Sequence, residues 1–193
     1  MLRRLYDWTM NLARHRHAGR MLGFVSFIES SVFPIPTDVL LIPIALSDRA
    51  RAMVYATIAT VTSVAGGMFG YAIGYFLFES VGQPLLDFYG YGDKFTDFAE
   101  RYNEWGAWIV FIAGVTPFPY KVITIASGVT GLDIFVFTVA SILARGLRFY
   151  AVCGLIYWFG EPIRTFIEKY LGLLFTAFVV LLIGGFIAVK YVL

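Results

Sequence analysis

Apolar and polar positions alternate along the chain in long blocks, and the block lengths predict its elements. Residues 3–17 place Leu5, Trp8 and Leu12 at helical spacing among Arg3, Arg4, Arg14 and Arg16. That pattern predicts an amphipathic helix lying on an anionic membrane surface. Residues 21–33 are apolar but too short to span. Pro34 and Pro36 stop the helix, because proline lacks an N–H and constrains the residue before it. A second short apolar run follows over 38–46. Two half-length runs joined by a break predict a re-entrant hairpin. Gly23 to Phe33 makes about 16 Å of helix at ~1.5 Å per residue, which reaches the middle of a hydrocarbon core about 30 Å thick. Residues 52–78 predict a full span, with Gly66, Gly70 and Gly74 along one face for close helix packing. Residues 79–104 are polar and carry Phe95, Phe98, Tyr102 and Trp105 at helical spacing, which predicts a second surface helix. Residues 107–116, then Pro117 and Pro119, then 121–130 repeat the re-entrant pattern. A span over 134–159, an amphipathic stretch over 161–169 and a C-terminal transmembrane helix within 172–192 complete the series.

The odd stretches align when the chain is shifted by 83 residues. Val32 to Val39 falls on Val115 to Val122, bringing Pro34 and Pro36 onto Pro117 and Pro119, and Asp38 onto Lys121. The sequence therefore predicts an all-α integral membrane protein built as one membrane domain over 1–193. Its first repeat covers about 3–78 and its second about 93–159. Each repeat comprises a surface helix, a re-entrant hairpin and a transmembrane helix. One unit crosses the membrane an odd number of times, so the second copy is inverted relative to the first, as in many transporters.

Composition agrees. Hydrophobic residues make up 59% of the 193 and charged residues 15%, against roughly half and a quarter in soluble domains. The single cysteine, Cys153, excludes an internal disulfide. His15 and His17 are two apart and do not share a helix face, so no metal site is expected. Arg3, Arg4, Arg14, Arg16, Arg20, Arg49, Arg51, Arg164 and Lys169 fall on one predicted side, and the acidic segment 79–104 on the other. The bias in lysine and arginine puts the N-terminus in the cytoplasm and the C-terminus outside.

Five charges lie within apolar blocks: Glu29, Asp38, Lys121, Arg145 and Arg148. Each costs about 2.5–3.5 kcal/mol at the centre of a lone helix, so they are expected to face one another or water. Asp38 at the start of a half-helix suits either a cap or a site group. Lys121 opposes the helix dipole there, which points to an anion, either Asp38 or a ligand. Arg145 and Arg148 share a face; they suit either structural pairing with Glu29 and Asp38 or the planar fork that holds phosphate. Three cations against two carboxylates leave one positive charge over, and half-helix N-termini add to it.

The paired loops around "VFPIPTDV" and "VTPFPYKV" resemble the DedA superfamily, also called the VTT or SNARE-associated fold. The "TPFPYK" loop and "SILARGLRF" helix look like its YqaA-type branch. The resemblance covers roughly residues 20–160. It implies opposed re-entrant loops in a helical bundle of a bacterial inner membrane. It also implies flipping of undecaprenyl phosphate or phospholipids, dependent on the proton motive force. Family acidic residues match Glu29 and Asp38, and family basic residues match Arg145 and Arg148. The chain departs from the pattern at the second loop, where Lys121 stands in place of a common arginine.

The reading favoured by these features is a proton-coupled flippase for an anionic, phosphate-bearing lipid. Glu29 and Asp38 are its candidate proton carriers, and Lys121, Arg145 and Arg148 its candidate phosphate ligands. Pro34, Pro36, Pro117 and Pro119 mark its re-entrant tips. A transporter of small soluble anions and a membrane scaffold without transport remain alternatives. No nucleophile motif, metal cluster or glycine-rich phosphate loop suggests an enzyme or a cofactor. The apolar stripe on the basic N-terminal face suits lipid rather than nucleic acid. The partners expected are membrane lipids and protons, and self-association stays open.

Overall fold

A computed structural model describes residues 17–32, 36–90, 92–116, 118–160 and 162. The predicted surface helix over 3–17 (but for His17), the proline tips Pro34 and Pro117, the amphipathic stretch over 161–169 (but for Pro162) and the C-terminal helix lie outside the described residues. Within them the chain is helical: α1 (Ala18–Ser31), α2 (Asp38–Ser47), α3 (Ala52–Leu77), α4 (Gln83–Tyr89), α5 (Gly92–Val115), α6 (Tyr120–Val129) and α7 (Ile134–Phe159). A 3-10 turn (Arg49–Arg51) leads into α3, and a π turn (Phe78–Gly82) leads out of it. The stretches containing α3 and α7 are long and apolar enough to cross a membrane.

One expectation fails. The second surface helix expected over 79–104 is divided between the π turn, α4 and α5, and α5 runs on without a break through the arm expected over 107–116. No proline interrupts 92–115, and Gly106 leaves room for the side chain of Leu132 rather than ending a helix.

Side-chain contacts give the helix directions. Ser26 donates to the Ala59 carbonyl and Ser30 meets Ser63, while Gly19 lies against Tyr55, so α1 runs parallel to α3. Thr57 meets Tyr150 and Arg145 reaches Ser63, while Tyr71 packs on Phe137, so α3 and α7 are antiparallel. Gly106 at Leu132 and Gly114 at Ala144 put α5 parallel to α7. Gly67 at Tyr120 and Gly74 at Ile125 put α6 parallel to α3. Asp38 at Arg148 and Arg49 at the Tyr157 carbonyl put α2 parallel to α7. Each half thus forms a helical hairpin, α1–α2 and α5–α6, and their first arms point in opposite directions. Ser30 beside Ser63, and Tyr120 beside Gly67 and Arg145, set the end of α1 and the start of α6 at about the mid-length of α3 and α7.

Glycines on α3 allow the close approach. A Cβ at Gly66 would strike the Phe27 carbonyl of α1, and one at Gly74 the Ile125 carbonyl of α6. The polarity is that of a protein dissolved in lipid. Ser26, Ser30, Ser63, Thr124, Ser127 and Ser141 are buried, whereas Val61, Phe76, Leu143, Leu147 and Leu155 are exposed. Exposed aromatics mark the two ends, Trp105 and Phe135 at one, Trp158 and Phe159 at the other, as expected at membrane interfaces.

Candidate functional site

The two hairpin tips deliver their polar residues to the middle of α7. Among the described residues Arg145 is the largest fully buried side chain, only 2% exposed. Its Nη2 donates to Glu29 Oε2 at 2.8 Å, and its Nε donates to Ser63 Oγ at 2.6 Å. Ser63 in turn shares a 2.7 Å hydrogen bond with Ser30. Glu29 Oε2 also accepts from Thr37 Oγ1 at 2.9 Å. The guanidinium lies between two aromatic rings, 4.9 Å from the centroid of Tyr120 and 4.6 Å from that of Phe149. Tyr120 is itself held by its hydroxyl, which donates to Ser141. A buried guanidinium needs charge balance and satisfied donors, and this one receives a carboxylate, a hydroxyl and two π faces.

Arg148, one helical turn on, is differently placed. Its Nη2 pairs with Asp38 Oδ2, and its Nη1 donates to the Thr116 carbonyl at 2.6 Å. Asp38 opens α2 in the first hairpin, and Thr116 closes α5 in the second. One guanidinium therefore clasps both tips. Its side chain is 18% exposed and that of Asp38 is 24% exposed. Asp38 Oδ1 is buried and has no hydrogen-bond partner among the described residues. An unmet buried acceptor costs about 1–3 kcal/mol.

The five charges of the apolar blocks thus resolve into two ion pairs and a remainder. Asp38 meets Arg148 rather than Lys121, and it is not a helix cap: its Oδ2 is taken by the arginine. Glu29, expected part-way down its arm, reaches Arg145 and joins the cluster. Lys121 is half-buried and forms no ion pair among the described residues. Pro36 lies in the link before α2, and Pro119 immediately precedes α6.

The sequence gives no sign of Ser63, Tyr120 or Ser141 as site residues, and Ser30 and Thr37, which it suggests as caps, bond to Ser63 and Glu29 instead. Hydroxyls scattered in apolar runs carry no periodic signal. A signal does exist in the spacing of the spans: α3 and α7 start 82 residues apart and have the same length of 26 residues. Ser63 and Arg145 are equivalent positions at that offset, and they touch.

Among the described residues no group of histidine, cysteine, aspartate and glutamate could hold a metal ion. Comparison with known proteins points the same way as the motifs. A family model for the VTT domain matches residues 16–158. An uncharacterized protein of Haemophilus influenzae is 36% identical over 186 residues, 96% of this chain and 96% of its own length. A Histophilus somni protein, described as an uncharacterized HI0703 homolog, is also 36% identical over 186 residues, covering 96% of this chain and 97% of itself. No solved structure matches. With the family model spanning both hairpins and both long apolar helices, the chain belongs to the VTT-domain, or DedA, family of membrane proteins.

Proposed function

We propose that the protein moves an anionic, phosphate-bearing lipid across the membrane, coupled to protons, and is a transporter rather than an enzyme. One observation carries the reading: Arg148 clasps the tips of two oppositely directed hairpins at the mid-length of the spans, beside a carboxylate with one unmet oxygen. The hairpins are read as re-entrant, in an inverted repeat, with the tips near the bilayer midplane, where transporters of that design bind substrate. Asp38 Oδ1, left without a donor among the described residues, is the oxygen a proton would occupy. A protonated Asp38 is neutral and holds Arg148 less strongly, freeing a planar fork for a phosphate. Lys121 supplies a second cation without displacing another pair. Arg145 is assigned a positioning role, since its donors and both faces are engaged, and Glu29 balances it.

Arg20, Arg49 and Arg51 share the end of the bundle where α1 and α3 begin, while Glu79, Glu104 and Asp133 lie towards the other. By the positive-inside rule the arginine end is cytoplasmic, in a multi-pass inner-membrane protein.

A second reading, a scaffold in which these charges only hold the fold, is favoured by how completely Arg145 is engaged. Translocation of a fluorescent phosphate-headgroup lipid in proteoliposomes, with and without a pH gradient, separates the two. The transport reading expects Arg148→Gln to abolish flux while the protein still extracts and folds. It expects Asp38→Asn to remove the response to the gradient. Wild-type flux equal to that of empty vesicles would refute lipid transport, and uptake of a water-soluble anion by the same vesicles would then separate a small-anion transporter from the scaffold.

A further inference from the structure

Away from the charged cluster, the outer seam between α1 and α3 opens into a groove of about 1040 Å³. That is at the upper end of the ~300–1,000 Å³ usual for small-molecule sites. Its walls are apolar, with Phe24 and Phe27 from α1 and Val54 and Ile58 from α3. Two glycines let α1 lie close on α3 along its floor: a Cβ at Gly23 would sit 3.2 Å from the Thr62 methyl, and one at Gly19 would sit 3.4 Å from Ile58. The groove is separate from the tip cluster: its lining includes none of Glu29, Asp38, Lys121, Arg145 and Arg148.

One end of the groove is polar and the rest is not. Arg20 and Arg51 stand at the rim, both exposed, with Asp48 between chain and solvent. Arg51 pairs with Asp48 at 3.5 Å, while Arg20 makes no ion pair among the described residues. The rim therefore keeps one net positive charge. From Arg20 to Phe27 the groove descends about 10 Å at ~1.5 Å per residue, most of one leaflet's share of a hydrocarbon core about 30 Å thick. A cationic rim above an apolar trough of that depth has the shape of one leaflet lipid.

We infer that this groove is a lipid site distinct from the tip cluster, holding an anionic phospholipid of the leaflet at the arginine-rich end. The phosphate rests on Arg20 and Arg51, and one acyl chain lies between Phe24, Phe27 and Ile58. Charge complementarity selects this occupant over the chain's own residues 1–16, whose Arg3, Arg4, Arg14 and Arg16 would meet like charge at the rim. The inference goes beyond the transport reading and stands whether or not lipid is translocated.

The test is photo-crosslinking of the full chain in phosphatidylcholine vesicles containing a trace of lipid with a mid-chain diazirine. The label is mapped by peptide mass spectrometry. A phosphatidylglycerol probe should label residues 18–27 and 54–62 about fivefold more than a phosphatidylcholine probe, the ratio for roughly 1 kcal/mol per unit of basic charge at a membrane surface. The double variant Arg20→Glu, Arg51→Glu should remove that preference, and Arg20→Lys, Arg51→Lys should keep it. Arg148→Gln should leave the labelling unchanged, which separates this site from the tip cluster. Equal labelling by both probes overturns the inference, as does labelling that survives charge reversal. Absence of label in the groove also overturns it, and a crosslink there to residues 1–16 would identify the occupant instead.

Discussion

Breaking the buried pair of Arg145 and Glu29 gives the sharpest test of what holds the two halves together. Arg145→Gln leaves the Glu29 carboxylate facing only Thr37, and leaves Ser63 without its charged donor. Glu29→Gln leaves a guanidinium that is 2% exposed without a counter-charge. Removing one partner of a buried pair costs about 3–5 kcal/mol, because the survivor stays desolvated and unpaired. Glu29 falls at the low end of that range, since its side chain is 19% exposed. If the residues acted independently, the double variant would lose roughly 6–10 kcal/mol, twice the single cost. Paired residues predict instead that the double variant loses little more than one single, a coupling of about 3 kcal/mol. Unfolding by SDS titration in mixed micelles, followed by tryptophan fluorescence, gives the four free energies. A coupling below about 0.5 kcal/mol, the level expected of unrelated sites, would refute the account of Arg145 as a paired, positioning group.

Other outcomes follow from the packing. Arg148→Gln removes a pair whose members are both partly exposed, and it should cost about 1.5–3 kcal/mol, less than Arg145→Gln in the same titration. Gly66→Leu drives a side chain into the Phe27 backbone and should lower stability by about 1–3 kcal/mol or more; Gly146→Ala, whose Cβ would meet Thr60 only at 3.9 Å, should be nearly silent in a thermal-shift comparison. Tyr120→Phe keeps the ring over Arg145 but strands Ser141, for a loss of about 1 kcal/mol with no change in extraction yield.

Much of this architecture was legible because hydropathy blocks record lipid contact directly. The span at 134–159 and the half-length arms after each proline pair fall where the apolar runs place them. The register between the halves was not so simple. α1 and α5 end at Ser31 and Val115, 84 positions apart, whereas α2 and α6 begin at Asp38 and Tyr120, 82 apart. The first link is two residues longer, so a single shift of 83 averages the two and slips by one on either side. That slip set Lys121 opposite Asp38, whereas the helix starts set Tyr120 there. Which arginine meets which carboxylate was equally hidden, because only the three-dimensional tip geometry assigns Glu29 to Arg145 and Asp38 to Arg148. The helix boundary expected between 104 and 107 failed for a different reason: Gly106 there serves as a socket for Leu132 and the helix runs through it.

The returning arms of the two hairpins are fastened unequally. α6 is welded to α3: Gly74 and Gly128 press backbone on backbone, and Tyr71, Tyr102 and Asn103 tie its far end to Leu132, Ser127 and Thr130. Among the described residues α2 has no such seam; it rests on apolar side chains, carries Pro43 within its helix, and is gripped at its head by Arg148. Loss of that grip would leave α2 resting on apolar side chains, while α6 would keep its backbone seam with α3. The quasi-equal halves are therefore unequally anchored, one by its own backbone and the other through a single guanidinium.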